Sequence, residues 1–197
     1  MTATPLLPNS LAFFASARTA IAAPRKAAQA YADHLNSVLN RTVSDSRLSL
    51  VPRPDDPAAF ELTRLMGTSP APLELHGTSN RLFVRQLFVV VEGHCQVESY
   101  GYRLQTTEAR ESWLLRWEYY RERPRVDYPY PLAHVHFNGA FEDGGRAGRL
   151  HVPTRRVPLE LVIWHLVAEW GVEPKSDDWQ AVLSESIAGF DQRRSAH

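Results

Sequence analysis

The rhythm of apolar positions changes twice along this chain. At the N-terminus it is helical. Ser10 is a suitable N-cap for a helix running to about Ala23, and Pro24 suits the first turn of a second helix, where Ala28, Tyr31, Leu35 and Val38 form one stripe. From Arg41 to about Pro57 the composition shifts to Ser, Asp and Pro, with a short alternation at Leu48 and Leu50, so a connection with at most one edge strand is predicted. Phe60, Leu62, Leu65 and Met66 fit neither period cleanly, and with Asp55 or Asp56 available as a cap, a short helix is predicted over Ala58–Met66.

In the middle of the chain the period falls to two. Arg81–Glu92, His94–Gln105, Ser112–Arg121 and Leu132–Phe137 are rich in Val, Leu, Phe, Tyr and Trp, and are separated by Gly93, a polar stretch and a Pro-rich stretch. They predict an antiparallel meander, with a fifth short strand at Arg149–Val152 returning after the turn Asp143-Gly144-Gly145-Arg146. Beyond Pro153 the helical period resumes. Pro158 suits a first helical position, Leu159, Val162, Ile163, Leu166 and Trp170 form a stripe, and Gly171 marks the stop. Ser176 then caps a last helix carrying Trp179, Val182, Leu183, Ile187 and Phe190 on one face. The expected architecture is a single α+β domain over residues 1–197. A helical segment at 1–40 and helices at 157–190 pack on one face of a four- to five-stranded sheet at 81–152.

Composition narrows the classes. The 197 residues are 44% hydrophobic and 22% charged with a formal net charge of zero, which excludes a disordered chain and gives no overall attraction for nucleic acid or an anionic membrane. Twenty of the 22 basic residues are arginine, a ratio that, with abundant Ala and Pro, reads as the mark of a GC-rich genome and not as selection for phosphate binding. Cys95 is alone, which excludes an internal disulfide and agrees with a reducing compartment. Residues Leu11–Ala23 have the apolar character of a secretory signal, but no basic residue precedes them and Arg18 interrupts them, so a cytoplasmic chain with no membrane partner is expected.

Candidate chemistry concentrates at His134-Val135-His136-Phe137, with a further histidine at His151. Side chains alternate in a strand, so His134 and His136 share the face opposite Ala133, Val135 and Phe137. In Ser112–Arg121 the same rule assigns Trp113, Leu115, Trp117 and Tyr119 to the core and sends Arg116, Glu118 and Tyr120 to the other side. Arg116, Glu118, His134 and His136 are then expected on one polar face, and Arg103 can join them. The set suits acid–base work on a phosphodiester, with His134 and His136 as proton donor and acceptor, Glu118 orienting a histidine, and Arg116 and Arg103 holding phosphate. That chemistry needs no cofactor. If a metal is bound instead, His134, His136 and His151 are the expected ligands, with Glu142 as an alternative third.

The segments Gly101-Tyr102-Arg103-Leu104, Leu114-Leu115-Arg116-Trp117-Glu118 and Tyr130-Pro131-Leu132-Ala133-His134-Val135-His136 occur in an order that resembles the core of TumE-like toxins of bacterial toxin–antitoxin pairs. The likeness spans about residues 98–170, although Glu118-Tyr119 stands where that family tends to have Asp-Asn and the spacer at Arg121–Tyr128 is longer. It implies a toxin-like protein acting on RNA or a nucleotide, a partner antitoxin, and Arg103, Arg116, Glu118, His134 and His136 as the matching positions; Tyr102, next to Arg103, is a further expected substrate-binding residue. A competing expectation, from a different class, is an adaptor whose aromatic and arginine segment at Tyr119–Tyr130 docks a partner protein. A metal-dependent hydrolase is the third.

Overall fold

Strands follow the alternating pattern, and more of them form than that pattern alone predicts. The protein is described by a computed structural model over residues 10–139 and 150–195. Among those residues the chain runs α1 (Ser10–Thr42), β1 (Ser49–Arg53), β2 (Asp56–Met66), β3 (Ser69–Ala71), β4 (Leu73–Glu74), β5 (Arg81–Val91), β6 (His94–Gln105), β7 (Trp113–Tyr120), β8 (Ala133–Phe137), β9 (Val152–Pro153), α2 (Leu159–Glu169) and α3 (Trp179–Ser195). All pairings are antiparallel, in the order β1-β2-β5-β6-β7-β8-β9, with β3 added to β2 and β4 to β5. The α+β class holds, and nine strands replace the expected four or five.

The additional strands come from residues 49–74. The helix expected at Ala58–Met66 is β2, and its mixed pattern has a physical cause. Phe60 and Leu62 are buried toward the helices, while Glu61 and Thr63 on the other side are also buried. Their polarity is absorbed locally, because Arg85 holds Glu61 through two hydrogen bonds of 3.0 and 2.8 Å and Thr63 donates to the Val84 carbonyl. A strand covered on both faces does not alternate cleanly. Asp56 accepts from the Ala58 N–H at 2.8 Å within the β1–β2 hairpin, so it closes a turn and caps no helix.

Pro24 lies inside α1 and does not begin a second helix. An interior proline removes one N–H, a loss that alanines at 22, 23, 27 and 28 help the helix to tolerate. Ala28, Ala32, Leu35 and Leu39 of α1 are fully buried over β2, β5 and β6, and Leu159, Val162, Ile163 and Leu166 of α2 complete the same layer. The helix α2 ends where predicted, since Gly171 takes φ +66°. Ser176 serves a different purpose from the expected cap: its hydroxyl donates to the Arg41 carbonyl at 2.9 Å and ties the approach of α3 to the end of α1. The turn at Asp143–Arg146, Glu142 and the side chain of Phe190 lie outside the described residues. No described helix is long and apolar enough to cross a membrane.

With every helix on one side, the opposite face of β2, β5, β6, β7 and β8 is left for polar chemistry. The β5–β6 hairpin turns through Glu92 (φ 51°) and Gly93 (φ 80°), the two left-handed positions of a tight turn matched to sheet twist. That turn sets the register at the start of the β5–β6 pair, which a bulge at Leu87/Phe88 then shifts.

Candidate active site

Register places the site residues in two rows across three strands. Arg103, Arg116 and His136 are direct neighbours on β6, β7 and β8, and beside them Gly101, Glu118 and His134 form the second row. All lie on the face away from the helices. The expected convergence of Arg116, Glu118, His134 and His136 is therefore present, with Arg103 one strand further on, roughly 5 Å per strand step.

The contacts centre on one carboxylate oxygen. Oε2 of Glu118 lies 3.3 Å from Nε2 of His134 and 3.2 Å from Nε2 of His136. Nη2 of Arg116 approaches the same His136 nitrogen at 3.1 Å, and Nε of Arg116 stands 3.2 Å from Oε1 of Glu118, too poorly aligned for a hydrogen bond. The imidazoles are enclosed, with side-chain exposures of 0% and 3%, whereas Glu118 and Arg116 keep 20% and 29%. The carboxylate and the guanidinium are thus the parts of the centre that meet solvent.

Hydrogen bonding fixes the state of His134. Its Nδ1 lies 2.7 Å from the Pro131 carbonyl, which only accepts, so Nδ1 carries the proton and the neutral ring presents a lone pair at Nε2. That buried Nε2 finds no hydrogen-bond donor and faces the Glu118 carboxylate. Burial, reinforced by the neighbouring His136, holds the His134 pKa below 6.5, although the Pro131 bond and Glu118 oppose it. Burial also works against ionisation of Glu118, but the His136 hydrogen bond and the Arg116 charge outweigh it and keep its pKa below the usual carboxyl value.

A third imidazole closes the group. The His151 ring centroid is 4.2 Å from that of His136 and 5.1 Å from that of His134, and the ring stacks on Tyr130 at 3.6 Å with planes 4° apart. Ligand atoms of His134, His136 and His151 lie within 4.8 Å of one another.

Next to this centre the sheet forms an open trough of about 640 Å³, lined among others by Arg85, Gly101, Arg103, Arg110, Arg116 and Glu118. Arg85 is neutralised by Glu61. Arg103 forms no ion pair among the described residues. Its guanidinium sits 4.1 Å over the Phe83 ring, and burial together with the nearby Arg110 and Arg116 charges lowers its pKa. Gly101 leaves the trough floor bare, since a Cβ placed there would meet nothing within 4 Å.

Two sequence assignments change. Tyr102 does not reach the site: it is fully buried on the helix side, stacked on Tyr100 at 4.4 Å, with its hydroxyl unpartnered. Strand parity explains this, because Tyr102 and Arg103 are consecutive and point to opposite faces. Trp113 moves the other way. Pairing steps from Leu104↔Leu115 to Gln105↔Trp113, so a bulge at Leu114 flips Trp113 onto the site face, where the Arg116 guanidinium lies 5.3 Å from its ring. The Pro131 carbonyl, the stacking of Tyr130 on His151 and the place of Arg110 in the trough were not foreseen from the sequence, although Tyr130 itself belongs to the expected docking segment. Tyr130 and Pro131 precede His134 in a Pro-rich stretch that carries no periodic signal. Comparison with protein-family models, with curated proteins and with solved structures finds no match, so these contacts alone carry the functional argument.

Proposed function

We propose that the protein is an enzyme acting on a phosphate-bearing substrate, an RNA or a nucleotide, with Glu118, His134 and His136 as the reacting centre and Arg103 and Arg116 holding the phosphate. One observation carries the reading: two enclosed imidazoles converge on a single oxygen of Glu118, whose carboxylate opens onto a trough with an uncompensated arginine. Anionic substrate suits that charge, and two imidazoles with one carboxylate supply the groups for proton transfer near neutral pH. Gly101 leaves room for the substrate to lie against the strand backbone.

The test is hydrolysis of labelled RNA and of nucleoside phosphates by the purified chain. Glu118→Gln, isosteric and at a largely buried position, is expected to lower kcat by about 100-fold or more, and Arg103→Gln to raise KM. Unchanged rates in a folded Glu118→Gln variant would remove the reading. The TumE-like resemblance adds a cytoplasmic, toxin-like role with an antitoxin partner. In that case induced expression arrests growth and Glu118→Gln relieves the arrest.

A second reading, an adaptor, is favoured by the edge-to-face run Tyr120–Tyr128–Tyr130, with Tyr130 40% exposed. In that case Tyr128→Ala abolishes partner capture while His134 and His136 substitutions leave it intact.

A further inference from the structure

We infer that the centre is a binding site for one divalent late first-row metal ion such as zinc, ligated by His134 Nε2, His136, His151 and Oε2 of Glu118. Ligation would occupy the lone pairs that the function proposed above assigns to proton transfer, so a loaded centre would serve that function through the charge of the ion and not through free imidazoles; its binding can be measured without any substrate.

His134 supplies the first argument. A histidine that ligates a metal donates its other ring N–H to a carbonyl or carboxylate, which fixes the tautomer and aims the free lone pair. His134 does this through Nδ1 and the Pro131 carbonyl at 2.7 Å. The result is a fully enclosed Nε2 with no hydrogen-bond partner. Without a cation, its lone pair faces a carboxylate oxygen at 3.3 Å, an arrangement in which two electron-rich atoms repel.

Spacing supplies the second. Donors about 2.0–2.1 Å from a tetrahedral ion stand roughly 3.3 Å apart. Oε2 of Glu118 lies 3.3 Å from His134 Nε2 and 3.2 Å from His136 Nε2, so three donors already span two edges of that size. His151 brings a third imidazole, with the widest separation among the three histidine donors at 4.8 Å, and its ring is held by the stack on Tyr130. Three imidazoles and one carboxylate form a donor set suited to zinc and its neighbours and poorly suited to calcium or magnesium.

Arg116 completes the picture. Its guanidinium places positive charge beside His136 Nε2 and Glu118 Oε1, serving as a partial substitute for the ion. On metal binding one N–H withdraws from His136, and the carboxylate pairing with Oε1 remains as outer support. An ion held by these four donors would have a closed coordination sphere and stand beside Arg116 and one strand from Arg103, adding fixed positive charge next to a phosphate bound between them.

The experiment uses the full chain, stripped with a chelator and titrated calorimetrically with Zn(II), followed by Co(II) substitution. The expected result is one ion per chain, a rise in Tm, and the intense visible absorption of four-coordinate Co(II). His151→Ala and Glu118→Gln, both at partly exposed positions, should each weaken Zn(II) binding by at least tenfold. His134→Ala should abolish it, with circular dichroism confirming the fold. Absence of stoichiometric binding, or binding unaffected in His151→Ala and Glu118→Gln, overturns the inference. Metal uptake with no turnover of any phosphate ester removes the proposed function and leaves the metal site standing. Turnover by a chain that takes up no stoichiometric metal does the reverse.

Discussion

Tyr102 and Gly101 are adjacent, yet they divide the two sides of the molecule. The Tyr102 hydroxyl is buried without a partner, so deleting it removes a desolvation cost. Tyr102→Phe should leave catalysis unchanged and stability unchanged or higher by up to about 1–2 kcal/mol, measured by urea denaturation. A fall in activity would return Tyr102 to the site. On the other face, Gly101→Leu should fill the trough floor between Arg85 and Glu118 and abolish substrate binding while the protein remains folded. Gly101→Ala, which meets no atom, should be tolerated in both respects, checked by KM and Tm. At this scale the histidine pair, Glu118, Arg116 and Arg103 were legible because strand alternation needs only local information. Tyr102 obeys that alternation as well: an assignment to the site face beside its neighbour Arg103 breaks the period of two. Trp113 was hidden by one extra residue at Leu114, a bulge that no periodicity reveals in advance.

Elements differ in how much of their stability is local. The strands β5 to β8 carry their own period-two signal, with one tight turn and two longer polar or Pro-rich separators, and the structure forms them where the pattern indicates. By contrast β2 depends on neighbours for its identity, because Glu61 is acceptable inside only when Arg85 meets it from the next strand. A pairing between residues 24 positions apart is invisible to a window of ten. The helix α1 and strand β1 are joined in a similar way by Asn36, whose amide donates to the Leu48 carbonyl at 3.0 Å and accepts from the Leu48 N–H at 2.7 Å. Both bonds are buried, so Asn36→Ala leaves two backbone groups unsatisfied. It should cost about 2–4 kcal/mol of unfolding free energy, read from the denaturation midpoint. A loss below about 1 kcal/mol would mean that water replaces the amide.

At the scale of the whole molecule, the division of labour between the faces sets the response to alkali. Burial, with smaller contributions from the neighbouring groups, pushes the Tyr100 phenol up to about 12 and raises Tyr31 and Tyr102 further above their ordinary value of 10. A folded pKa above the unfolded one means that this stabilisation is complete below pH 10. It is lost progressively as pH climbs toward 12, because only the unfolded chain can release those protons. Thermal melts should therefore fall steeply above pH 10, and tyrosinate absorbance from these three rings should appear together with loss of circular dichroism. Independent titration of the rings in a folded protein would contradict the burial described above.

Layer organisation was readable from sequence, since helical stripes at both ends and alternation between them dictate which faces must meet. What joins the two ends was not readable. The Lys175 N–H donates to the Thr42 carbonyl, Arg41 pairs with Asp178 at 2.9 Å, and His34 contacts Ser186 at 2.8 Å, all across more than 130 residues. On a ribosome, then, the first helix emerges early with its greasy stripe uncovered, and its last partners are synthesised more than a hundred residues later. Such closure between distant segments makes assembly slow and gives the nascent chain a long interval in which a chaperone has something to hold.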